Sequence, residues 1–311
     1  MRAPTDVVLL HNQKAGDGDH SVEQLAAMLR RHGYRPECYT LKEALKRTDP
    51  LQRGEFIIVS GGDGSVRRVA TRLAHQGRPI APLPLGTANN IATSLGVCGE
   101  PDEIIAGWAN GHRQRIDLGL ATGPWGRRHF IEGIGLGLIG RAITTIETID
   151  DVSDREFENR QDKLYRDLCV LLALANEMPP FPISVTQDGE DRSGRYLLLE
   201  VVNISRAGPG FELAQRANPG DRWLNVVSVR ADERHKLQES LKRCLAALDH
   251  GTILESQRAH ELRLELTAGE LRIDDEVVWP ETGTDAPDSI TVDVTIDPGA
   301  LEFVLPSRAS L

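Results

Sequence analysis

Phe56-Ile57-Ile58-Val59-Ser60-Gly61-Gly62-Asp63-Gly64-Ser65 joins an apolar run, a glycine-rich loop and the opening of an amphipathic pattern. The apolar run closed by glycines predicts a short buried strand. From Ser65 onward, Val66, Val69, Ala70 and Leu73 recur at helical spacing and predict a helix. The same unit stands on either side. Val7-Val8-Leu9-Leu10 leads through Asn12-Gln13-Lys14-Ala15-Gly16-Asp17-Gly18 into a helix from about Ser21, with Val22, Leu25, Ala26 and Leu29 on one face. Pro79 to Leu85 leads into Gly86-Thr87-Ala88-Asn89-Asn90 and a short helix that ends at Gly96. Strands alternating with helices predict a mostly parallel sheet that binds ligands at the carboxyl ends of its strands.

After about Asp117 the texture changes. Strand-like runs follow one another, separated by turn signals: Phe181 to Gln187, Tyr196 to Ile204, Leu224 to Val229, Leu262 to Leu266, Leu271 to Ile273 and Ser289 to Ile296. Helical patterns interrupt them around Asp162 to Asn176 and Lys236 to His250. This predicts a second, mainly antiparallel β domain. The expected organisation is an α/β domain over residues 1–120 and a β-rich domain over 121–297, with residues 298–311 returning to the first.

Of the 311 residues, 40% are apolar and 26% charged, an ordinary globular balance with material for two cores. The formal net charge of -10 argues against general binding to nucleic acid, whose affinity comes largely from neutralised phosphates. It also argues against a strong electrostatic hold on an anionic membrane. Cys38, Cys98, Cys169 and Cys244 are scattered, which argues against a zinc site or a disulfide framework and fits a reducing cytoplasm. The opening MRAPTDVVLL lacks the apolar core of a signal peptide. No apolar run approaches the ~18–20 residues of a membrane span.

A glycine-rich loop between a strand and a helix suits a phosphate, because the backbone comes close and free N–H groups point at the anion. Ser60 to Ser65 has that setting. A carboxylate there repels phosphate unless a cation lies between, so Asp63 reads either as a magnesium bridge or as a helix cap. Thr87 and Asn89 offer neutral hydrogen bonds suited to a nucleotide, and Asp117 adds a carboxylate at the domain boundary. His11 has no partner visible in sequence and reads as structural. Leu164, Leu168, Leu171 and Leu172 form one helix face, read as core, with a lipid-facing wall as the alternative.

Taken together, these motifs resemble the diacylglycerol kinase catalytic-domain family, which includes sphingosine kinases and bacterial lipid kinases. Asn12 to Gly16 is similar to its first phosphate loop. Gly61 to Ser65 matches its Gly-Gly-Asp-Gly-Thr motif, and Pro84 to Asn90 its Gly-Thr-x-Asn-Asp motif. Phe130 to Gly140 and Gly210 to Val226 resemble segments of its second domain. Ile273-Asp274-Asp275-Glu276 aligns with its late Asp-Gly-Glu motif. The resemblance implies an NAD-kinase-like α/β nucleotide-binding domain followed by an antiparallel β-rich domain for the lipid substrate.

It also implies an ATP-dependent kinase that phosphorylates a lipid hydroxyl, on diacylglycerol or a related lipid, with ATP and Mg2+. The implied nucleotide-binding residues are Asn12, Lys14, Gly16, Gly61, Gly62, Asp63, Gly64, Ser65, Arg67, Gly86, Thr87 and Asn89. Asp63 and Asp117 would organise magnesium. Asp274 would be the general base and Glu276 its support. Such an enzyme would be cytoplasmic and would meet its lipid at the inner membrane face from outside. Alternation along an extended segment would put Asp274 and Glu276 on one side and Asp275 on the other.

The chain departs from the family at Gln13, Arg67, Arg68, Asn90 and Asp275. The two arginines either contact phosphate or lie on the solvated face of their helix. An NAD-kinase-like enzyme and a catalytically weak nucleotide or lipid sensor are the competing readings. Asp188-Gly189-Glu190 spells the late motif more faithfully than residues 274–276, but its polar setting between apolar runs reads as a hairpin turn.

Overall fold

The computed structural model describes residues 4–13, 15, 20–47, 49–152, 159–246, 254–267, 269–279 and 288–307. The chain divides into two compact units, Met1–Ile116 with Gly299–Leu311, and Asp117–Pro298.

In the first unit, β1 (Thr5–His11), α1 (Val22–Arg31), β2 (Tyr34–Thr40), α2 (Leu41–Lys46), β3 (Ile57–Gly61), α3 (Asp63–Leu73), β4 (Ile80–Pro84), α4 (Asn90–Ser94) and α5 (Pro101–Gly107) follow in order. The strands form a parallel sheet in the order β2-β1-β3-β4. Near the end of the chain, Phe303 pairs in parallel with Ile80 of β4. The apolar runs of β1 and β3 are fully buried, as a parallel sheet covered on both faces requires. Ser21 caps α1 reciprocally: Gln24 N–H donates to its hydroxyl and its own N–H donates to the Gln24 side chain. Leu25, Ala26 and Leu29 carry the buried face of that helix. The α3 helix begins at Asp63, two residues earlier than the periodicity suggests, because Gly62 takes the N-cap position.

The second unit takes over within β5 (His112–Gly123), which forms a hairpin with β6 (Gly126–Phe130). It continues through β7 (Gly133–Gly137), α6 (Leu138–Val152), α7 (Arg160–Glu177), β8 (Phe181–Gln187), β9 (Glu190–Asp191) and β10 (Gly194–Val202). Then come β11 (Arg206–Ala207), β12 (Phe211–Glu212), β13 (Leu224–Arg230), α8 (Arg234–Leu245), β14 (Ser256–Ala259), β15 (Glu261–Leu266), β16 (Leu271–Ile273), β17 (Glu276–Trp279) and β18 (Ile290–Leu305). The antiparallel order is β17-β16-β7-β10-β8-β15-β18, and β13 pairs with both β10 and β14.

Burial follows from the side-chain period of a strand. Along β8 and β15 buried and exposed residues alternate strictly, so one face of each meets the core. Most of β10 is buried on both faces. Leu199 and Val201 enter the core of the sheet, while Leu197, Leu198 and Val202 pack with α6, α7 and α8. Leu168 and Leu171 sit in that second core and Leu172 packs against it, so these three are core as read from their spacing, while Leu164 is half-buried outside that cluster. The architecture is the expected one, a parallel α/β domain followed by an antiparallel β-rich domain.

Candidate active site

In the first unit the loops after β1, β3 and β4 converge. Asn12 Nδ2 donates to the Ser65 hydroxyl at 2.9 Å. Gly61 lies against the same serine, where an added Cβ would approach Ser65 Oγ to 2.6 Å. A Cβ on Gly86 would come within 2.3 Å of the Gly62 Cα, so these two loops touch backbone to backbone. His11 meets the Ser60 hydroxyl at 3.0 Å, and burial pushes its imidazole down against the opposing pull of Glu23.

Two polar side chains fix this arrangement from within. Asn89 adopts a left-handed backbone (φ 52°) and clamps Gly86: its Oδ1 accepts the Gly86 N–H at 2.9 Å and its Nδ2 donates to the Gly86 carbonyl at 2.8 Å. Asp63 accepts the N–H groups of Asn90 and Ile91, one on each carboxylate oxygen, both at 2.9 Å. Through these two contacts Asp63, at the start of α3, caps the start of α4. Arg67 is half-buried on α3 and Arg68 exposed; Gly64 and Thr87 are half-buried and Asn90 is buried. Lys14 and Gly16 lie outside the described residues.

The second unit holds the remaining candidates. Asp117 is buried, its carboxylate accepts the Arg222 N–H at 2.8 Å, and its backbone carbonyl accepts from Asn203 Nδ2 at 2.9 Å. Asp274 is buried in the turn between β16 and β17, with φ 53°. Its Oδ1 accepts N–H groups from Ile131, Glu132 and Gly133 at 3.2, 2.8 and 3.2 Å. The expected alternation does not hold here. Ile273 and Glu276 are paired across the two strands, so residues 274 and 275 form a bend rather than extended chain. Asp274 points inward, while Asp275 and Glu276 are exposed and Glu276 pairs with Arg128.

Asp188 and Gly189, with φ of 48° and 83°, make the two-residue turn joining β8 to β9, as their sequence setting suggests. Among the described residues no group of three or more His, Cys, Asp or Glu side chains is arranged to hold a metal ion.

Sequence reasoning passed over the most buried charges among the described residues. Arg272 and Glu200 are both fully buried and meet through two contacts, at 2.6 and 3.2 Å. The signal was present, since each is a lone charge inside an apolar strand: Leu198-Leu199-Glu200-Val201 and Leu271-Arg272-Ile273.

Residues 6–121 match the diacylglycerol kinase catalytic domain. Over 182 residues, 56% of this chain and 55% of the relative, the chain is 28% identical to a protein of Stenotrophomonas maltophilia named "Probable lipid kinase YegS-like". Over 190 residues, 59% of this chain and 57% of the relative, it is 26% identical to a diacylglycerol kinase of Mycobacterium tuberculosis. The chain thus spans about half the length of the curated relatives it matches. The crystal structure of a diacylglycerol kinase from Bacillus anthracis superposes with a TM-score of 0.66 at 17% identity, covering 100% of both chains. These matches bear out the resemblance to the diacylglycerol kinase catalytic-domain family, and the superposition bears out the fold.

Proposed function

We propose that the chain is an ATP-dependent lipid kinase that transfers a phosphoryl group to a lipid hydroxyl, on diacylglycerol or a related lipid. The observation that carries this reading is the convergence of the Asn12, Gly61–Ser65 and Gly86–Asn89 loops within the stretch that matches the diacylglycerol kinase catalytic domain. Phosphoryl transfer needs mainly positioning and charge neutralisation, with a carboxylate to orient the nucleophile. In the proposal the three loops bind the nucleotide phosphates, and Asp274 orients the lipid hydroxyl and takes its proton, while Glu276 stays exposed beside Arg128.

Bound magnesium would neutralise phosphate charge. It commonly uses one or two carboxylates together with the phosphates themselves, so no dedicated cage is required. Asp63 fits that use as a carboxylate within the converging loops, held in place by the N–H groups of Asn90 and Ile91. Asp117, held by the Arg222 N–H, is the second carboxylate proposed for this use. No helix among the described residues is long and apolar enough to cross a membrane, and the proposed contact with the lipid is peripheral.

Calorimetry with magnesium-ATP should show saturable binding that Asp63→Ala weakens by about tenfold or more, ~1.4 kcal/mol. Equal affinity in the variant removes the nucleotide assignment. Radiolabelled ATP and a total lipid extract, with mass identification of the product, should yield one labelled lipid class. Bound ATP with no labelled lipid would overturn the kinase reading.

A further inference from the structure

Three aligned positions on three strands place a charge beneath the Asp274 turn. Arg272 of β16 stands directly opposite Gly135 of β7, and Gly135 directly opposite Glu200 of β10. Directly paired residues share a face of the sheet. The arginine and the glutamate therefore reach toward each other over the glycine. A Cβ on Gly135 would lie 2.1 Å from the Glu200 carboxylate carbon, so the glycine makes room for the pair. Arg272 Nε donates to Glu200 Oε1 and Nη2 to Oε2, the two-point geometry of a guanidinium on a carboxylate. The remaining arm, Nη1, donates to the backbone carbonyl of Asp274.

Stability alone does not account for this pair. Removing two charges from water is costly, and well-packed apolar replacements of buried ion pairs are often neutral or stabilising. On the face that Glu200 shares with them, Leu198 and Val202 are buried and apolar, and the buried carboxylates of Glu132 and Asp274 add to the pull of Glu200 on Arg272. Burial pushes the Glu200 carboxyl up, against the lowering pull of Arg272. The Asp274 backbone, in turn, needs holding, because a left-handed conformation is unfavourable for a residue with a Cβ. Its N–H donates to the Gly133 carbonyl and its carboxylate takes the amides of residues 131–133, which leaves its carbonyl for Arg272.

We propose that Arg272, held by Glu200 across Gly135, is a positioning residue that locks the turn presenting Asp274. This rests on the assignment of Asp274 to the reaction. Arg272 acts through the Asp274 carbonyl, so it fixes the direction of the side chain without competing for the carboxylate. Glu200 balances the buried guanidinium and sets its orientation.

The test is the double substitution Arg272→Met with Glu200→Leu, which removes both charges together and leaves the net buried charge unchanged. Its melting temperature is expected to match or exceed that of the parent. Hydrogen exchange in segments 131–137 and 271–279 is expected to quicken about tenfold or more, with other segments unchanged. With the lipid acceptor, kcat is expected to fall by roughly 10- to 100-fold while KM for ATP stays within about twofold, because misplacement costs rate rather than binding. Arg272→Lys, which keeps the charge but loses the fork, should fall between.

A stable double variant with parental exchange and parental kcat overturns the proposal. If the double variant does not fold, Arg272→Lys decides by the same measurements, and parental exchange and kcat in it overturn the proposal too. Asp274→Asn in the same assay separates the two claims. Full activity there removes Asp274 from the chemistry, while the exchange data still decide whether Arg272 holds the turn.

Discussion

Asp188 and Asp274 each open a two-residue turn between antiparallel strands, with φ of 48° and 53°. Around Asp188 the following glycine is also left-handed, the carboxylate takes the N–H groups of His260 and Glu261 at 3.0 Å each, and the turn is exposed. Around Asp274 the carboxylate is buried against three amides and its carbonyl rests on a buried arginine. Asp275 keeps an ordinary negative φ, so no glycine is needed there. The two turns solve one backbone problem, but only the second is built into the interior by residues from β7, β10 and β16. Motif spelling favours the first; the surroundings favour the second.

The comparison breaks most visibly at Asp274. Asp274→Asn keeps the size and the Oδ1 acceptor but removes basicity. It is expected to retain magnesium-ATP binding and to lose roughly 10²–10⁴ in turnover, read by single-turnover transfer to the lipid. Retained turnover would remove the general-base assignment.

A smaller effect sharpens the account of the bend. Asp275→Gly should leave turnover within about threefold and lower stability by about 0.4–1 kcal/mol, because glycine at a negative φ adds mainly unfolded-state entropy. A large gain in stability on denaturant unfolding would show that position 275 is strained after all.

The smallest effect belongs to the exposed turn. Asp188→Asn should leave turnover within about twofold. A loss of a hundredfold, ~2.7 kcal/mol of transition-state stabilisation, in the folded variant would transfer the catalytic role to the more faithfully spelled motif.

The elements of the first unit were legible where one period dominated, as in the apolar runs of β1 and β3 and the faces of α1 and α3. The β2 strand was not, because Tyr34-Arg35-Pro36-Glu37-Cys38-Tyr39-Thr40 is polar and contains a proline. Among the described residues it pairs only with β1, and an edge position tolerates both features. The β5–β6 hairpin was hidden by the charged start His112-Arg113-Gln114-Arg115. At the candidate site, composition marked the glycine loops and Asp63 as a possible cap. Which helix Asp63 caps depends on α4 arriving from another loop, a tertiary fact. The direction of Asp274 was misread because the period-two argument assumes extended chain. Glu200 and Arg272 were lost within their apolar runs, since a hydrophobic pattern averages over a single charge.

The contact between Gly62 and Gly86 has a consequence for redesign. The backbones approach so closely that a methyl group on Gly86 would sit 2.3 Å from the other Cα. Neither position can be explored alone, because the obstacle to a side chain at one is the main chain of the other. To a protein engineer the two glycines form a single design variable. Separating the loops by even a bond length would also pull on the Asp63 carboxylate, which ties the start of α3 to the start of α4.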